Sequence, residues 1–223
     1  LQGEDIYKSI KILPFYKEDI SILDLGCGDG CVASAFARHN HKGKFLGFDI
    51  NKIWISKLKK IYRNDNNFKF KYIDIFHSFY NSGGKLDPVN CEFPLEKNAK
   101  FDLIIANSIF SHMTEKVIEN NLKNCFKHIS KKGKIWCTLY TIQNEFQLNQ
   151  SKDERFRIAK EYKGSFTFSS HKPELNLGLD YNKFEKIVEN LGLEINRHIE
   201  GNWHKGSYSL DQHNQDIFIL SKK

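Results

Sequence analysis

The chain has 223 residues, 40% hydrophobic and 27% charged, a globular composition that excludes a disordered, collagen-like or low-complexity protein. Lys and Arg (34) outnumber Asp and Glu (27), giving +7, and residues 40–71 alone supply that excess, with only Asp49 and Asp65 opposing their basic side chains. No apolar run approaches the ~18 residues needed to cross a bilayer. The opening LQGEDIYKSIKIL lacks the basic, apolar and small-residue succession of a secretory signal, and the five cysteines form no CxxC pair. A cytoplasmic protein with reduced thiols, no membrane contact and no metal is therefore expected, with room for native residues before Leu1.

Residues 4–17 read as a helix, with Ile6, Ile10 and Leu13 at helical spacing and Pro14 disturbing its last turn. Residues 21–26 are a buried strand ending at glycine, and 29–39 a helix burying Val32, Ala35 and Phe36. A second strand covers 44–50, and the helix over 51–63 buries Ile55, Leu58 and Tyr62. Residues 68–75 alternate as a strand, while 101–108 are nearly all apolar, as in a central strand covered on both faces. Thr114 starts a helix to about Ile129, ended by Lys132-Gly133, and 133–140 is a fifth strand. Asp180 caps a helix that Gly192 stops, and the last strands are 193–200 and 215–221.

This alternation predicts an α/β, doubly wound, largely parallel sheet with helices on both faces. No helix separates the last two strands, so they should form an antiparallel pair. Three long connections, 76–100, 141–180 and 201–214, emerge at the carboxyl edge, where open α/β sheets bind ligands. They are expected to cap a cleft within a single domain spanning 1–223.

The most informative segment is Ile22-Leu23-Asp24-Leu25-Gly26-Cys27-Gly28-Asp29-Gly30, a strand, a tight glycine turn and a helix start. Its spacing is GxGxG and not the GxGxxG of a dinucleotide site. A carboxylate at position 24 suits a cationic ligand better than a phosphate. Asp49, ending the second strand, can accept both hydroxyls of a ribose. Asp74, closing the third, can accept from an adenine amino group, with the adjacent N–H free for a ring nitrogen. Each Asp alone reads equally well as a turn or cap residue; three on consecutive strand ends form a pattern.

ILDLGCGDG, GFDIN, YIDI, FDLIIANSIFSHM and KKGKIWCTLY, in that order, resemble the class I S-adenosylmethionine-dependent methyltransferases over roughly residues 18–221. The resemblance implies a Rossmann-like seven-stranded sheet of order 3-2-1-4-5-7-6, strand 7 antiparallel. It implies S-adenosylmethionine as cofactor, S-adenosylhomocysteine as product, and no metal. Gly26, Cys27, Gly28 and Gly30 would shape the turn under the methionine moiety, with Asp24 near its ammonium or sulfonium end. Asp49, followed by Ile50, would hold the ribose, Asp74 with Ile75 would read the adenine, and Asn107 would lie close to the methyl. Phe110-Ser111-His112-Met113-Thr114 and Gly201-Asn202-Trp203-His204 followed by Gln215-Asp216 look like a bacterial small-molecule subgroup. Some of its members are similar to enzymes encoded with sugar or capsule biosynthesis.

An alcohol acceptor needs a base, and His112, just past the fourth strand, is the first candidate; the alternative is a histidine that caps the next helix. Trp203 and His204 stand at the same edge, the tryptophan as packing or as a stacking platform. His171 is a lid residue or simply exposed. The fourth strand lacks the Asn/Asp-Pro-Pro-aromatic tetrad of DNA amine methylation, and no Pro-Cys motif supplies a thiol nucleophile. Three functions stay open: O- or N-methylation of a small polar metabolite such as a sugar or polysaccharide precursor, RNA- or protein-directed methylation, and a non-catalytic cofactor-binding subunit. Lys52, Lys59 and Arg63 should project from the outer face of their helix, so the +7 is weak evidence for a nucleic-acid partner.

Overall fold

The computed structural model describes residues 3–143, 151, 154–157, 159–169, 171–204 and 214–223. Strands β1 (Ile22–Leu25), β2 (Phe45–Asp49), β3 (Phe68–Tyr72), β4 (Phe101–Ala106) and β5 (Ile129–Ile142) run parallel. Past the next three strands in the chain, β9 (Leu193–Ile199) and β10 (Asp216–Lys222) complete the main sheet, β10 running antiparallel to both β5 and β9. The order β3-β2-β1-β4-β5-β10-β9 is the expected 3-2-1-4-5-7-6 with its seventh strand antiparallel.

Side-chain alternation gives the sheet two apolar faces. Ile22 of β1 and Leu103 and Ile105 of β4 pack toward α1 (Gly3–Lys11), α2 (Cys31–Arg38) and α3 (Lys52–Ile61). Leu23, Leu25 and Ile104 pack on the opposite side with Ile118 and Leu122 of α4 (Glu115–His128) and with Phe184 and Val188 of the last helix. Residue by residue, the sheet is covered on both sides. That leaves its carboxyl edge as the open approach. No helix among the described residues is long and apolar enough to cross a membrane.

Several boundaries differ from expectation. The first helix stops at Lys11, not residue 17, because Pro14 has no N–H and disfavours helical backbone before it; separate turns follow through Tyr16. β5 begins at Ile129, ahead of the glycine read as its start. Ile129 pairs with Phe101 and Lys134 with Leu103, so Ser130–Gly133 is taken up in a bulge. β3 ends at Tyr72, and the chain then turns so that Asp74 C=O accepts from Lys85 and Leu86 N–H, both at 2.9 Å.

The 141–180 connection has structure of its own. It carries the single turn α5 (Glu154–Arg157) and the short strands β6 (Lys160–Tyr162), β7 (Ser165–Thr167) and β8 (Leu177–Asp180). They pair antiparallel in sequence, and β8 joins the end of β5 at Tyr140–Ile142. Tyr181–Asn190 follows as α6. Of the 201–214 connection, residues 205–213 lie outside the described residues.

Candidate active site

The glycine turn is built for close approach. Gly26, Gly28 and Gly30 have φ of 67°, 51° and 83°, a region that side chains with a Cβ adopt only under strain. A Cβ on Gly26 would lie 2.1 Å from Ile109 Cγ2, and one on Gly30 2.3 Å from Leu58 Cδ2. Gly28 differs: its nearest neighbour would be Gly26 O at 4.0 Å, so the space above it is open.

Asp49 braces this turn. Its carboxylate accepts from Gly28 N–H at 2.8 Å and Asn51 N–H at 2.6 Å. Burial raises its pKa, and these backbone donors work against the rise. Asn51 then caps α3, accepting from Ile53 and Trp54 N–H at 3.0 and 3.2 Å. Asp24 lies beneath the turn, 1% exposed, with Oδ2 lacking a hydrogen-bond partner. Burial, aided by the negative charge of Asp49, pushes its carboxyl well above the usual range.

A cavity of about 380 Å³ opens over the turn. Of the expected residues, Gly26, Gly28, Asp49, Ile50, Ile75, Asn107 and His112 line it; Asp24, Cys27, Gly30 and Asp74 do not. The Asp74 carboxylate instead accepts from Tyr72 OH at 2.6 Å and Asn81 Nδ2 at 3.4 Å. Asn107 Oδ1 is buried without a partner. Beside it, Ser108 has φ 54° and is pinned by its N–H to Thr138 Oγ1 at 2.8 Å. Unanticipated lining residues include Trp54, Tyr80 and Ser108; an exposed tryptophan near the start of a helix was the one readable signal among them.

A second cavity of about 660 Å³ adjoins the first, sharing Ile50, Ile75, His77, His112, Met113 and Asn121. Its far walls come from the 76–100 and 141–180 connections and the start of α4. His112 stands where the two meet. Its Nδ1 lies 3.3 Å from Glu174 O, which only accepts, so Nδ1 carries the proton and Nε2 keeps its lone pair. Among the described residues nothing hydrogen-bonds to Nε2. Burial lowers the pKa of His112 below the ordinary 6.5, with the carbonyls of Glu174 and Leu175 opposing and His77 adding to the fall.

His77, absent from the expected set, supports this arrangement. Its Nδ1 accepts from Phe79 and Tyr80 N–H at 3.1 and 3.2 Å, so Nε2 holds the proton and donates to His112 O at 3.2 Å. The remaining candidates lie apart from both cavities. Trp203 is 1% exposed among Tyr140, Phe156 and Phe168, His204 sits 3.6 Å from Glu200, and His171 is exposed. On α3, Lys52, Lys57, Lys59 and Lys60 are solvent-exposed, and Lys57 Nζ lies 4.5 Å over the ring of Trp54. The basic face thus reaches the rim of the smaller cavity, closer than expected.

The orphaned acceptors Asp24 Oδ2 and Asn107 Oδ1 and the open space at Gly28 fit a ligand with a cationic end lying along the turn. Comparisons with known proteins agree. A family model described as "Methyltransferase domain" matches residues 23–135. The pyocyanin biosynthetic protein PhzM is similar at TM-score 0.64 and 12% identity, over 100% of this chain and 55% of PhzM. Magnesium protoporphyrin IX methyltransferase (ChlM) from Synechocystis PCC 6803, with bound S-adenosylhomocysteine, is similar at 0.59 and 11%, over 99% and 83%. NcsB1, an O-methyltransferase from neocarzinostatin biosynthesis in complex with S-adenosylmethionine, is similar at 0.59 and 8%, over 94% and 51%. The chain spans about half the length of PhzM and NcsB1. It belongs to the methyltransferase-domain family and has the fold of the class I S-adenosylmethionine-dependent methyltransferases.

Proposed function

We propose that this chain transfers a methyl group from S-adenosylmethionine to an oxygen or nitrogen atom of a small polar metabolite, a sugar or a polysaccharide precursor. The observation that carries the reading is the meeting of the two cavities at His112, with Nε2 unprotonated. When bound, the cofactor supplies a methyl already activated on sulfonium, so the chain's task is alignment and removal of a proton.

The glycine turn of Gly26, Cys27, Gly28 and Gly30 would lie under the methionine part, and Asp24 and Asn107 offer acceptors to its ammonium end. Asp49 keeps lone pairs for ribose hydroxyls, and Ile50 and Ile75 flank a slot for adenine. Reading adenine through the Asp74 carboxylate requires exchange of its bonds with Tyr72 and Asn81. His112 Nε2 would take the acceptor proton, and the connections lining the larger cavity would exclude water. ChlM is named as a magnesium protoporphyrin IX methyltransferase and NcsB1 as an O-methyltransferase in complex with 2-hydroxy-5-methyl naphthoic acid, which supports a metabolite acceptor over RNA or protein.

The test is incubation with methyl-labelled S-adenosylmethionine and a polar metabolite extract, read by mass spectrometry. A labelled small molecule is expected. Label appearing only on RNA or protein, or no S-adenosylhomocysteine at all, would overturn the reading.

A further inference from the structure

Gln215 and Asp216, where β10 begins, line neither cavity, yet both are committed to bonds across the carboxyl edge of the sheet. The buried Asp216 carboxylate accepts from Thr141 N–H and Oγ1 at 2.8 and 2.7 Å and from Gly201 N–H at 2.7 Å. That grip fixes the backbone that carries Gln215. Gln215 Oε1 in turn accepts from Thr138 Oγ1 at 2.7 Å and from Ser108 Oγ at 3.3 Å.

Thr138 is buried on β5, and a hydroxyl has one proton to give and lone pairs to accept with. Its proton goes to Gln215, and its oxygen accepts from Ser108 N–H at 2.8 Å. That N–H belongs to the peptide joining Ser108 to Asn107, and a trans peptide points its N–H and C=O in opposite directions. Because β4 lies between β1 and β5, an N–H turned to β5 turns the Asn107 carbonyl to the side of β1 and its glycine turn. Among the described residues nothing donates to that carbonyl or to Asn107 Oδ1. Ser108 stands at φ 54°, a conformation that a residue with a side chain keeps only where its neighbours hold it. Here they are Thr138, Gln215 and Ser111, whose hydroxyl donates to Ser108 O at 3.1 Å.

We infer that Thr138 and Gln215 are positioning residues for the cofactor: they set the Asn107–Ser108 peptide so that the acceptors of Asn107 meet the ammonium end of S-adenosylmethionine. The inference rests on the cofactor lying over the glycine turn. It gives the start of β10 a part in cofactor binding, although neither Thr138 nor Gln215 touches the ligand.

The test is calorimetric titration of the full chain with S-adenosylhomocysteine and with methylthioadenosine, which keeps the nucleoside and thioether but lacks the amino-acid end. Thr138→Val preserves shape and removes the hydroxyl; it should weaken S-adenosylhomocysteine at least fivefold and leave methylthioadenosine within twofold. Thr138→Ser restores the hydroxyl and should bind both ligands within twofold of wild type. Gln215→Ala should weaken S-adenosylhomocysteine at least threefold, again sparing methylthioadenosine. Gln215 is only partly buried and Asp216 holds its backbone, so this variant folds and decides the matter should Thr138→Val unfold. Equal losses for the two ligands, unchanged S-adenosylhomocysteine affinity in Gln215→Ala, or Thr138→Ser as weak as Thr138→Val would each overturn the proposal. Should methylthioadenosine bind too weakly to titrate, the contrast of valine with serine and the Gln215→Ala result decide. A wild-type chain that takes up no S-adenosylhomocysteine would instead sink the cofactor reading itself.

Discussion

Replacing His112 by alanine separates chemistry from binding. The hydrogen bond from Nδ1 to Glu174 O is lost, at about 1 kcal/mol of stability, and the protein stays folded. Among the described residues lining both cavities, His77 has its lone pair taken by Phe79 and Tyr80 N–H, so the loss of His112 Nε2 removes the ring nitrogen there whose lone pair is left available. General-base catalysis contributes roughly 10²–10⁴ in rate, and a tenfold loss, about 1.4 kcal/mol, is the minimum expected. Cofactor affinity should stay within about twofold. The sign of the pH dependence follows from burial. Neutral His112 is the active form and its pKa lies below 6.5, so kcat should be flat at neutral pH and fall on the acid side below that value. The assay is S-adenosylhomocysteine release with the identified acceptor, from acid to alkaline pH, for both proteins. Unchanged turnover, or an acid limb retained in His112→Ala, would refute the base assignment.

Asp49→Ala should cost about 2–4 kcal/mol in urea melts, because two backbone N–H groups lose a charged acceptor, and should weaken S-adenosylhomocysteine by a few kcal/mol at most; normal uptake by calorimetry would end the ribose assignment. Gly28→Ala meets no atom closer than 4.0 Å and should lose only about 1 kcal/mol from its φ, yet bind cofactor at least tenfold more weakly, whereas Gly26→Ala, at 2.1 Å from Ile109, should be hard to fold. With no ligand bound, burial holds the Asp24 pKa above its unfolded value, so its contribution is full below about pH 3.8 and fades as pH rises toward the folded value; a cationic ligand end beside it would favour the ionised form. Asp24→Asn should therefore flatten the decline of stability that sets in as pH rises above about 3.8; parallel curves for the two proteins would count against a buried carboxyl of raised pKa. Activity should change little between about 50 and 200 mM salt, where an enzyme acting on nucleic acid loses orders of magnitude in affinity.

The parts of the fold readable in sequence were those set by local pattern. The apolar run of β4 reported a strand covered on both faces, and the missing helix between β9 and β10 reported their antiparallel pairing. The glycine turn and Asp49 were legible because φ, strand end and carboxylate fall within one βαβ unit. What stayed hidden depends on contacts distant in sequence. β6 and β7 are three residues each, too short to show a period. His77 and Glu174 meet His112 only because two connections fold onto each other, and nothing around either residue marks it in the sequence. Asp74 was expected to close the third strand, but β3 ends at Tyr72, the backbone turns there, and its side chain finds Tyr72 and Asn81 before any ligand.

The claim that most needs a direct measurement is that the cavity over the glycine turn holds the cofactor. Calorimetric titration of S-adenosylhomocysteine into the wild-type chain should give one site, with Gly28→Ala binding at least tenfold more weakly while melting close to wild type. Absence of heat and of any melting shift at millimolar ligand, with the protein folded, or equal affinity in the two proteins, would contradict the account.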